Sequence, residues 1–498
     1  MSLLPDLLTM PKLLYALLAV AIAAPASAQR ANGPSLALEE ALALAKLNNP
    51  AYLQALNGRR HAETALRSAY GSLLPTAGSS IGSSYRQGKS QFFQGVEFGA
   101  NSDVLSSSWG LNFNYSINAA AITALRSQKA LLEASDADVV AADLNLKASV
   151  TQQYIFTLQT QARAALQDSL VLSNQLHLDL ARAKATVGSG TSLDVKRAEV
   201  AVGQQQVAAL RAHNTAEVAA LQLFQQLGVG MPASVQLTST FVVSEPTLQV
   251  EQLLDMAKQG NPALRAMQSR ERSAGANYTG AKSQYAPTLN LRADLGGSTQ
   301  KYRDGDYRVN QERSSRAGAR SNCFTTDSLR RGAGLPSIAS KCSNLVLTDA
   351  EAAALRTANN QYPFGFTSNP YNLSLTLSLP LFDGFVREQR IQDAATARAD
   401  ARYSIRAEEL KLTADVTSAY TTLVADFRAV RQQEVNVQSA REALQLAQER
   451  YRVGLNSLVD LQAARADYET AEVGRIDAIF EYHRAYAGLE SAVGRSLR

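Results

Sequence analysis

The chain contains two copies of one sequence pattern, and this internal duplication limits the possible folds more than any other feature. Asn49-Pro50-Ala51 recurs as Asn261-Pro262-Ala263, and Val187-Gly188 recurs as Val453-Gly454, with the same order of motifs in both copies. Each copy has roughly 200 residues, whereas the units of solenoid proteins have about 20 to 50. The duplication therefore predicts one pseudo-symmetric protomer rather than a stack of small repeats.

The spacing of these motifs predicts the repeat boundaries. The first repeat is expected over residues 29–240 and the second over residues 241–498. The distance between equivalent motifs increases once, between Pro287 and Leu373, so the second repeat carries an inserted loop at about 296–370. This insertion joins two predicted strands and contains both cysteines.

The first 28 residues have the pattern of an export signal. Lys12 precedes an apolar run over residues 13–24, and Ala26-Ser27-Ala28 follows as a small-residue cleavage site. The run of about 12 residues is shorter than the roughly 20 that a membrane-spanning helix requires. The sequence therefore predicts a signal peptide over 1–28 and an exported chain that is periplasmic, secreted or inserted in an outer membrane as strands.

Each repeat has two segments in which apolar and polar residues alternate, which is the pattern of a strand with one apolar and one polar face. In the second segment, for example, Leu111 and Phe113 alternate with Asn112 and Asn114. The four strands are predicted at 77–85, 111–117, 289–295 and 373–379.

Long helices are predicted after the second strand of each repeat. The segments 119–186 and 386–452 are rich in Ala, Leu, Gln, Glu and Arg and almost free of proline and glycine. Apolar residues recur every three or four positions from Val416 to Tyr451, which is coiled-coil spacing. A Val-Gly turn and a return helix follow each long helix, so each repeat is expected to form a helical hairpin.

Four strands of about nine residues match the length needed to cross a bilayer, but they cannot close a barrel and would leave unpaired edges in lipid. Protomers must therefore share a barrel. Two protomers would give about 8 strands and three about 12, and only the larger barrel leaves a wide lumen. Asn112, Asn114, Arg292 and Asp294 would then face water. A β-sandwich with the same alternation is the alternative.

Composition and motifs argue against other functional classes. The net charge is +5, from 49 basic and 44 acidic residues that are interspersed, so no nucleic-acid-binding surface is predicted. The histidines and cysteines have no metal-ligand spacing, so neither a metal nor a cofactor is expected. Gly78-Ser79-Ser80-Ile81-Gly82 matches the string of a nucleophile elbow, but it lies inside a predicted strand, so no enzyme is expected.

These motifs together make the chain similar to a known family, the TolC-type outer-membrane efflux channels. The resemblance extends over essentially the whole mature chain and includes the duplication, the Asn-Pro motifs, the Val-Gly turns and Pro380-Leu381-Phe382-Asp383-Gly384. It implies a mixed α/β membrane protein in which three protomers share a 12-stranded transmembrane β-barrel, four strands from each, continued by a long α-helical coiled-coil periplasmic tunnel. It also implies location in the cell outer membrane of a Gram-negative bacterium.

The resemblance implies a function in export. The chain is expected to be the exit duct of a tripartite efflux pump or type I secretion system and to act as a passive conduit. Its expected partners are two further copies of itself in a homotrimer, outer-membrane lipid, a periplasmic membrane-fusion adaptor and an inner-membrane transporter that supplies the energy. The alternatives are a periplasmic coiled-coil scaffold or adhesin without a pore, and a secreted esterase that acts through Ser80.

The resemblance also assigns roles to residues at and near the two turns. The residues that it implies for the tip where the adaptor docks are Val187, Gly188, Val453, Gly454 and Leu455. Those that it places at the periplasmic entrance, or gate, are Asp194, Tyr451 and Asp460. Tyr451 would belong to the bonding network that keeps the entrance closed.

The aspartates and glycines also have structural alternatives. Three Asp460 side chains around an axis would repel, concentrate cations and raise one another's pKa. Either Asp194 or Asp460 could instead cap the return helix beside it, and the two roles are compatible. The glycines could serve only the chain reversal, since reversals between helices favour the left-handed conformation.

Two differences from the family pattern concern the strand-to-helix corner and the gate. The first repeat has the segment 118–122, Asn-Ala-Ala-Ala-Ile, in place of Pro-Leu-Phe-Asp-Gly, so a differently shaped corner is expected. Asn456 and Ala463 stand where some members carry an arginine and a second acid, so a looser gate is expected.

Cys323 and Cys342 both lie in the insertion and would meet an oxidising compartment, so a disulfide is predicted. Closing this loop would stabilise the insertion by roughly 3 kcal/mol in the chain-entropy model. The insertion joins two strands and is expected to face the cell exterior, where long loops are tolerated.

Overall fold

The structure is a computed structural model that describes residues 35–88, 91–93, 96–98, 102–233 and 235–497. The predicted signal peptide at 1–28 lies outside the described residues. No helix in the described ranges is long and apolar enough to cross a membrane.

The described chain up to residue 240 begins with a two-residue strand and two helices, continues through four further strands, and then forms a long helical hairpin followed by a two-residue strand. Its elements are, in order, β1 (Ser35–Leu36), α1 (Leu38–Asn48), α2 (Pro50–Gly71), β2 (Thr76–Arg86), β3 (Gln91–Phe93), β4 (Val96–Phe98), β5 (Val104–Ile117), α3 (Ala119–Thr186), α4 (Ser192–Leu227) and β6 (Gln236–Leu237).

The remaining residues repeat this order with three additional helices between the strands. Their elements are α5 (Val250–Gly260), α6 (Pro262–Ser283), β7 (Thr288–Tyr302), α7 (Tyr307–Gly332), α8 (Ala339–Ser343), α9 (Asp349–Asn359), β8 (Thr367–Ser368), β9 (Asn372–Ser378), α10 (Val386–Arg452) and α11 (Leu458–Val493). The predicted long helices are confirmed as α3 and α10.

The main sheet is antiparallel and joins both halves of the chain in the order β2-β5-β7-β9, with the short β8 beside the far part of β7. Its register places residues of one kind in rows across the strands, because side chains alternate between the two faces. A polar row is formed by Thr76, Asn114, Arg292 and Ser374. The neighbouring apolar row contains Ala77, Phe113, Ala293 and Leu373.

The apolar face of this sheet lies open in the single chain. Phe113 is 43% exposed and Leu377 is 68% exposed. Both alternate along their strands with polar residues whose side chains lie on the other face. Arg292 and Asp294 form an ion pair on the polar face, with 2.8 Å between Nε and Oδ2. The two predicted faces of the strands are therefore confirmed, and neither is covered within the protomer.

The apolar core lies where each helical hairpin packs against the shorter helices of its own half. Tyr154, Leu223 and Leu227 are fully buried in the first cluster, and Val416, Leu423 and Tyr482 are buried in the second. Each cluster fixes one tyrosine hydroxyl to an adjacent extended segment. Tyr154 donates to the Leu36 carbonyl at 2.7 Å, and Tyr482 donates to the Ser244 carbonyl.

The Asn-Pro motifs are explained by helix capping. Asn49 Oδ1 accepts hydrogen bonds from the Ala51 and Tyr52 amides at the start of α2, while its Nδ2 donates to the Gln226 carbonyl of α4 at 2.7 Å. Asn261 makes the equivalent bonds, and its Nδ2 donates to the Ala492 carbonyl. Each asparagine therefore caps one helix and ties it to the end of the return helix.

The two strand-to-helix corners differ, as the sequence predicts. Asn118 caps α3 directly, because its side chain accepts from the Ala121 amide at 2.7 Å. In the second corner Arg387 is buried, donates to Asp383 through Nε at 2.9 Å and donates to the Pro380 carbonyl at 2.7 Å. The Pro-Leu-Phe-Asp-Gly stretch thus forms a folded corner around one arginine.

The segment predicted as a loop instead contains α7, α8 and α9, and β7 continues to Tyr302. The predicted disulfide between Cys323 and Cys342 is confirmed, with 5.4 Å between the Cα atoms. Asp327 is fully buried and accepts hydrogen bonds from the Ile338 amide and the Ser337 hydroxyl. Sequence analysis missed the helices because much of this segment is charged or small and lacks a strong apolar period.

We expect the Asn49 cap to contribute measurably to stability. Asn49→Ala removes both the cap and the bond to Gln226, and should lower the free energy of unfolding by about 2 kcal/mol. Asn49→Asp keeps an acceptor for the cap but loses the Nδ2 donor, and should cost about half as much. Thermal or urea unfolding followed by circular dichroism in detergent measures both. Equal losses in the two variants would contradict the separate tether to α4.

Candidate functional site

The two long hairpins end in turns of the same construction. After α3 the Gly188 backbone has a φ of 75°, and the Ser189 amide donates back to the Lys184 carbonyl at 2.9 Å. After α10 the Gly454 backbone has a φ of 82°, and the Leu455 amide donates to the Arg450 carbonyl at 2.9 Å. A left-handed residue at these positions favours glycine, so the turn geometry explains both glycines.

The predicted tip residues lie at these turns. The described surroundings leave the position of a Cβ on Gly188 or Gly454 free, so the glycines serve the backbone conformation rather than a close approach. The flanking apolar side chains are largely exposed: Val187 at 76%, Val453 at 64% and Leu455 at 77%. Apolar residues this exposed at a tight turn are available to a partner.

Asp194 and Asp460 each complete a capping box. Asp194 accepts from the Thr191 amide at 3.2 Å, and its own amide donates to Thr191 Oγ1 at 3.1 Å. Asp460 exchanges the same pair of bonds with Ser457, at 3.0 and 3.2 Å. The capping role raised as the structural alternative is therefore confirmed for both aspartates.

Capping also sets the ionisation of Asp460 in the protomer. The Ser457 hydroxyl and then the Ser457 amide, both donating to the carboxylate, lower the pKa of Asp460 below its ordinary value. This effect opposes the increase expected from a ring of three like charges. Asp460 is exposed, and within the described residues its carboxylate accepts hydrogen bonds from the Ser457 amide and hydroxyl.

Tyr451 connects the two hairpins through a residue that the sequence analysis did not identify. Lys184 Nζ lies 3.9 Å from the centroid of the Tyr451 ring and donates to the Tyr451 carbonyl at 2.6 Å. Burial and then the nearby Asp194 carboxylate raise the pKa of the Tyr451 hydroxyl. The structure thus brings Tyr451 close to Asp194, whereas Asp460 interacts with its own helix.

A half-buried polar cluster lies about two to four helical turns from the tip. Arg465 of α11 donates to Asn174 Oδ1 at 2.9 Å and to Ser173 Oγ at 3.1 Å, which links α11 to α3. Burial, followed by the positive charge of Arg465, lowers the pKa of His177 to about 4. No sequence signal identified this cluster, because its residues are brought together only by packing of the two hairpins.

The structure also bears on the catalytic serine and the metal site that the sequence analysis considered. Ser80 lies in the middle of β2 and pairs with Gly110, without the strand–turn–helix context of a nucleophile elbow. Among the residues that the structure describes, no group of three or more His, Cys, Asp or Glu side chains could hold a metal ion.

Comparisons with known proteins agree with this architecture. Residues 346–495 match the model of the family described as outer membrane efflux protein. No curated protein sequence matches the chain.

The fold is similar to those of several solved outer-membrane proteins. The outer membrane protein VceC of Vibrio cholerae is 16% identical with a TM-score of 0.69, and the match covers 93% of this chain and 97% of VceC. The CmeC outer membrane channel of Campylobacter jejuni is 16% identical with a TM-score of 0.70, covering 92% and 85%. The open MtrE outer membrane channel of Neisseria gonorrhoeae is 17% identical with a TM-score of 0.68, covering 93% and 89%.

The chain therefore has the mixed α/β fold of these outer-membrane channels, in which an antiparallel sheet is joined to two long helical hairpins. The resemblance to the TolC-type outer-membrane efflux channels is confirmed.

We expect His177 to make the helical hairpins sensitive to acid. The unfolded chain protonates His177 near pH 6.5, whereas the folded chain does so only near pH 4, so stability is full above pH 6.5 and falls between these values. The whole difference corresponds to roughly 3 kcal/mol, and solvent screening reduces the expected loss to roughly 1–2 kcal/mol.

Unfolding of detergent-solubilised protein at several pH values measures this loss. His177→Gln should flatten the dependence between pH 6.5 and 4, while the matched variant of the exposed His61, His61→Gln, should leave it unchanged. An unaltered pH profile in His177→Gln would contradict the assignment.

Proposed function

We propose that this chain is the outer-membrane exit duct of a tripartite efflux pump or type I secretion system, and that it acts as a passive conduit rather than an enzyme. The observation that carries the proposal is the sheet β2-β5-β7-β9. Among the described residues its outer edges have no partner strand, its apolar face is exposed, and β5 and β9 lead into the two helical hairpins. Such a sheet fits a share of a barrel in lipid better than it fits a soluble domain.

The exposed surface of the single chain supports assembly. The protomer exposes 32494 Å², whereas a globular monomer of this size exposes roughly 18,000 Å². Large apolar side chains are exposed both on the helices, such as Leu172 at 65% and Leu210 at 70%, and on the sheet, such as Leu375 at 66%. Burial of this surface between copies would stabilise the assembly, because the association of apolar surface is favourable.

Three protomers would pair the backbone groups at the free edges of their sheets. The β2 edge of one copy would pair with the β9 edge of the next, giving about 12 strands and a lumen wide enough for solutes. The row containing Asn114 and Arg292 would face the water-filled interior, and the row containing Phe113 and Leu373 would face lipid. Each repeat, at 29–240 and 241–498, would then contribute two strands and one hairpin.

The helices provide the periplasmic part. At 1.5 Å per residue, the 68 residues of α3 extend about 100 Å from the sheet. The tip residues Val187, Val453 and Leu455 would meet the helical hairpins of a periplasmic adaptor, and an inner-membrane transporter would supply the energy. Asp194, Tyr451 and Asp460 would line the entrance just above this contact.

The pore-free scaffold is less compatible with the sheet. A periplasmic coiled-coil protein would leave Leu373, Leu375 and Leu377 in water, where each is about two-thirds exposed in the protomer.

Mass and conductance test the proposal together. We expect the purified protein to contain three chains in mild detergent, by native mass spectrometry, and to form ion-conducting channels in planar bilayers. A water-soluble single chain without conductance would contradict the shared barrel.

Lys184 tests the entrance. Lys184→Ala removes the contact between the two hairpins at Tyr451, so the closed state should lose stability and the open probability should rise several-fold in planar bilayers. Lys196→Ala is a matched control, since Lys196 is an exposed lysine of α4 that pairs with Glu199 of the same helix at 2.9 Å. Equal open probability of the two variants would contradict a role of Lys184 in stabilising the closed state.

A further inference from the structure

The insertion between β7 and β9 carries a basic groove that the export function does not use. It lies beyond the end of β7 that is opposite to the helical hairpins, and Asn359 fixes α9 to that strand by bonding the Tyr302 amide and carbonyl at 2.7 and 3.0 Å. If the strands cross the outer membrane, as the proposed function holds, this groove lies at the outer surface of the bilayer.

One wall of the groove is a single face of α7. Arg313, Arg316, Arg320 and Phe324 are spaced by three and four residues and therefore lie on the same side of the helix. The guanidinium of Arg320 lies 5.8 Å from the centroid of the Phe324 ring. This face combines positive charge with an aromatic surface.

The opposite wall is apolar. Leu345, Val346 and Leu347 line it, and the groove encloses about 520 Å³. Phe324 and Val346 are 37% and 43% exposed, so apolar surface is available beside the arginines. A ligand that fills the groove would need both an anionic and an apolar part.

The arginines of the groove are not equivalent. Arg316 pairs with Glu312 and Glu351 and also donates to the Val346 carbonyl at 3.0 Å, so it joins the two walls. Within the described residues, Arg313 and Arg320 have no carboxylate within ion-pairing distance. Two guanidinium groups are therefore free to bind an anion.

The groove is held in shape before any ligand binds. The Cys323–Cys342 disulfide joins α7 to α8 next to the wall, and the buried Asp327 binds the Ile338 amide at 2.6 Å. The Thr348 amide and then Arg316, both donating to Glu351, lower the pKa of Glu351 to about 2. A preorganised site loses less entropy on binding, which favours affinity.

We propose that this groove binds the phosphate head group of a lipid in the outer leaflet. Arg313 and Arg320 bind the phosphate oxygens, because guanidinium groups match phosphate geometry. Phe324 and Val346 contact the first methylene groups of the acyl chains. The apolar wall and the position at the bilayer surface favour a lipid over a free anion.

Ligand titration monitored by native mass spectrometry tests the proposal. The detergent-solubilised protein is titrated with dioctanoyl phosphatidic acid, with dioctanoyl glycerol and with inorganic phosphate. We expect phosphatidic acid to bind most tightly, and Arg313→Gln/Arg320→Gln to weaken it at least tenfold. The matched control Arg308→Gln/Lys341→Gln removes the same charge from exposed sites outside the groove and should leave binding within twofold.

Three results would contradict the lipid site. Phosphatidic acid bound no more tightly than inorganic phosphate, or bound equally by both double variants, would overturn the lipid site. If the arginine variant does not assemble, Phe324→Ala replaces it, and unchanged binding there would overturn the site. Conductance of the same preparations distinguishes the two proposals. If the protein forms conducting channels but lipid binding does not depend on the groove, only the lipid site is contradicted. If the unaltered protein does not conduct, the exit duct is contradicted.

Discussion

Unpaired strand edges are the constraint on which the rest of this structure depends. The sheet β2-β5-β7-β9 satisfies its interior hydrogen bonds, but one side of β2 and one side of β9 have no partner strand among the described residues. In lipid each unsatisfied backbone group costs several kcal/mol, so the sheet is stable there only when other copies complete it. The exposed leucines of β9 favour lipid around this face of the sheet, because apolar side chains are costly in water.

The helical part has a complementary design. Each long helix has too narrow an apolar stripe to fold alone. The structure compensates with buried cores near the middle of α3 and α10, with smaller apolar clusters nearer the turns, and with polar contacts between the hairpins. Arg163 and Gln159 of α3 converge on Asp477 of α11, and Arg465 reaches back to α3 nearer the tip. Polar contacts fix the geometry with little net gain in stability, as the proposed entrance would require.

The insertion differs from both parts because its stability is local. A disulfide, the buried Asp327 and the ion pairs of Arg316 with Glu312 and Glu351 stabilise α7, α8 and α9, which share little apolar core. Such a unit depends little on the sheet, since Asn359 ties it to β7 at Tyr302, the last residue of that strand.

The sequence alone determined the elements whose cause is local. The duplication, the strand alternation, the bounds of α3 and α10, the capping options for Asp194 and Asp460 and the disulfide were all readable, because periodicity, caps and cysteine chemistry act within a few residues or within one loop. Tertiary structure alone decided the contact of Lys184 with Tyr451, the cluster of Arg465 with His177, the helices of the insertion and the groove beside Arg313. These features join residues that are distant in sequence or follow no period, so only packing brings them together.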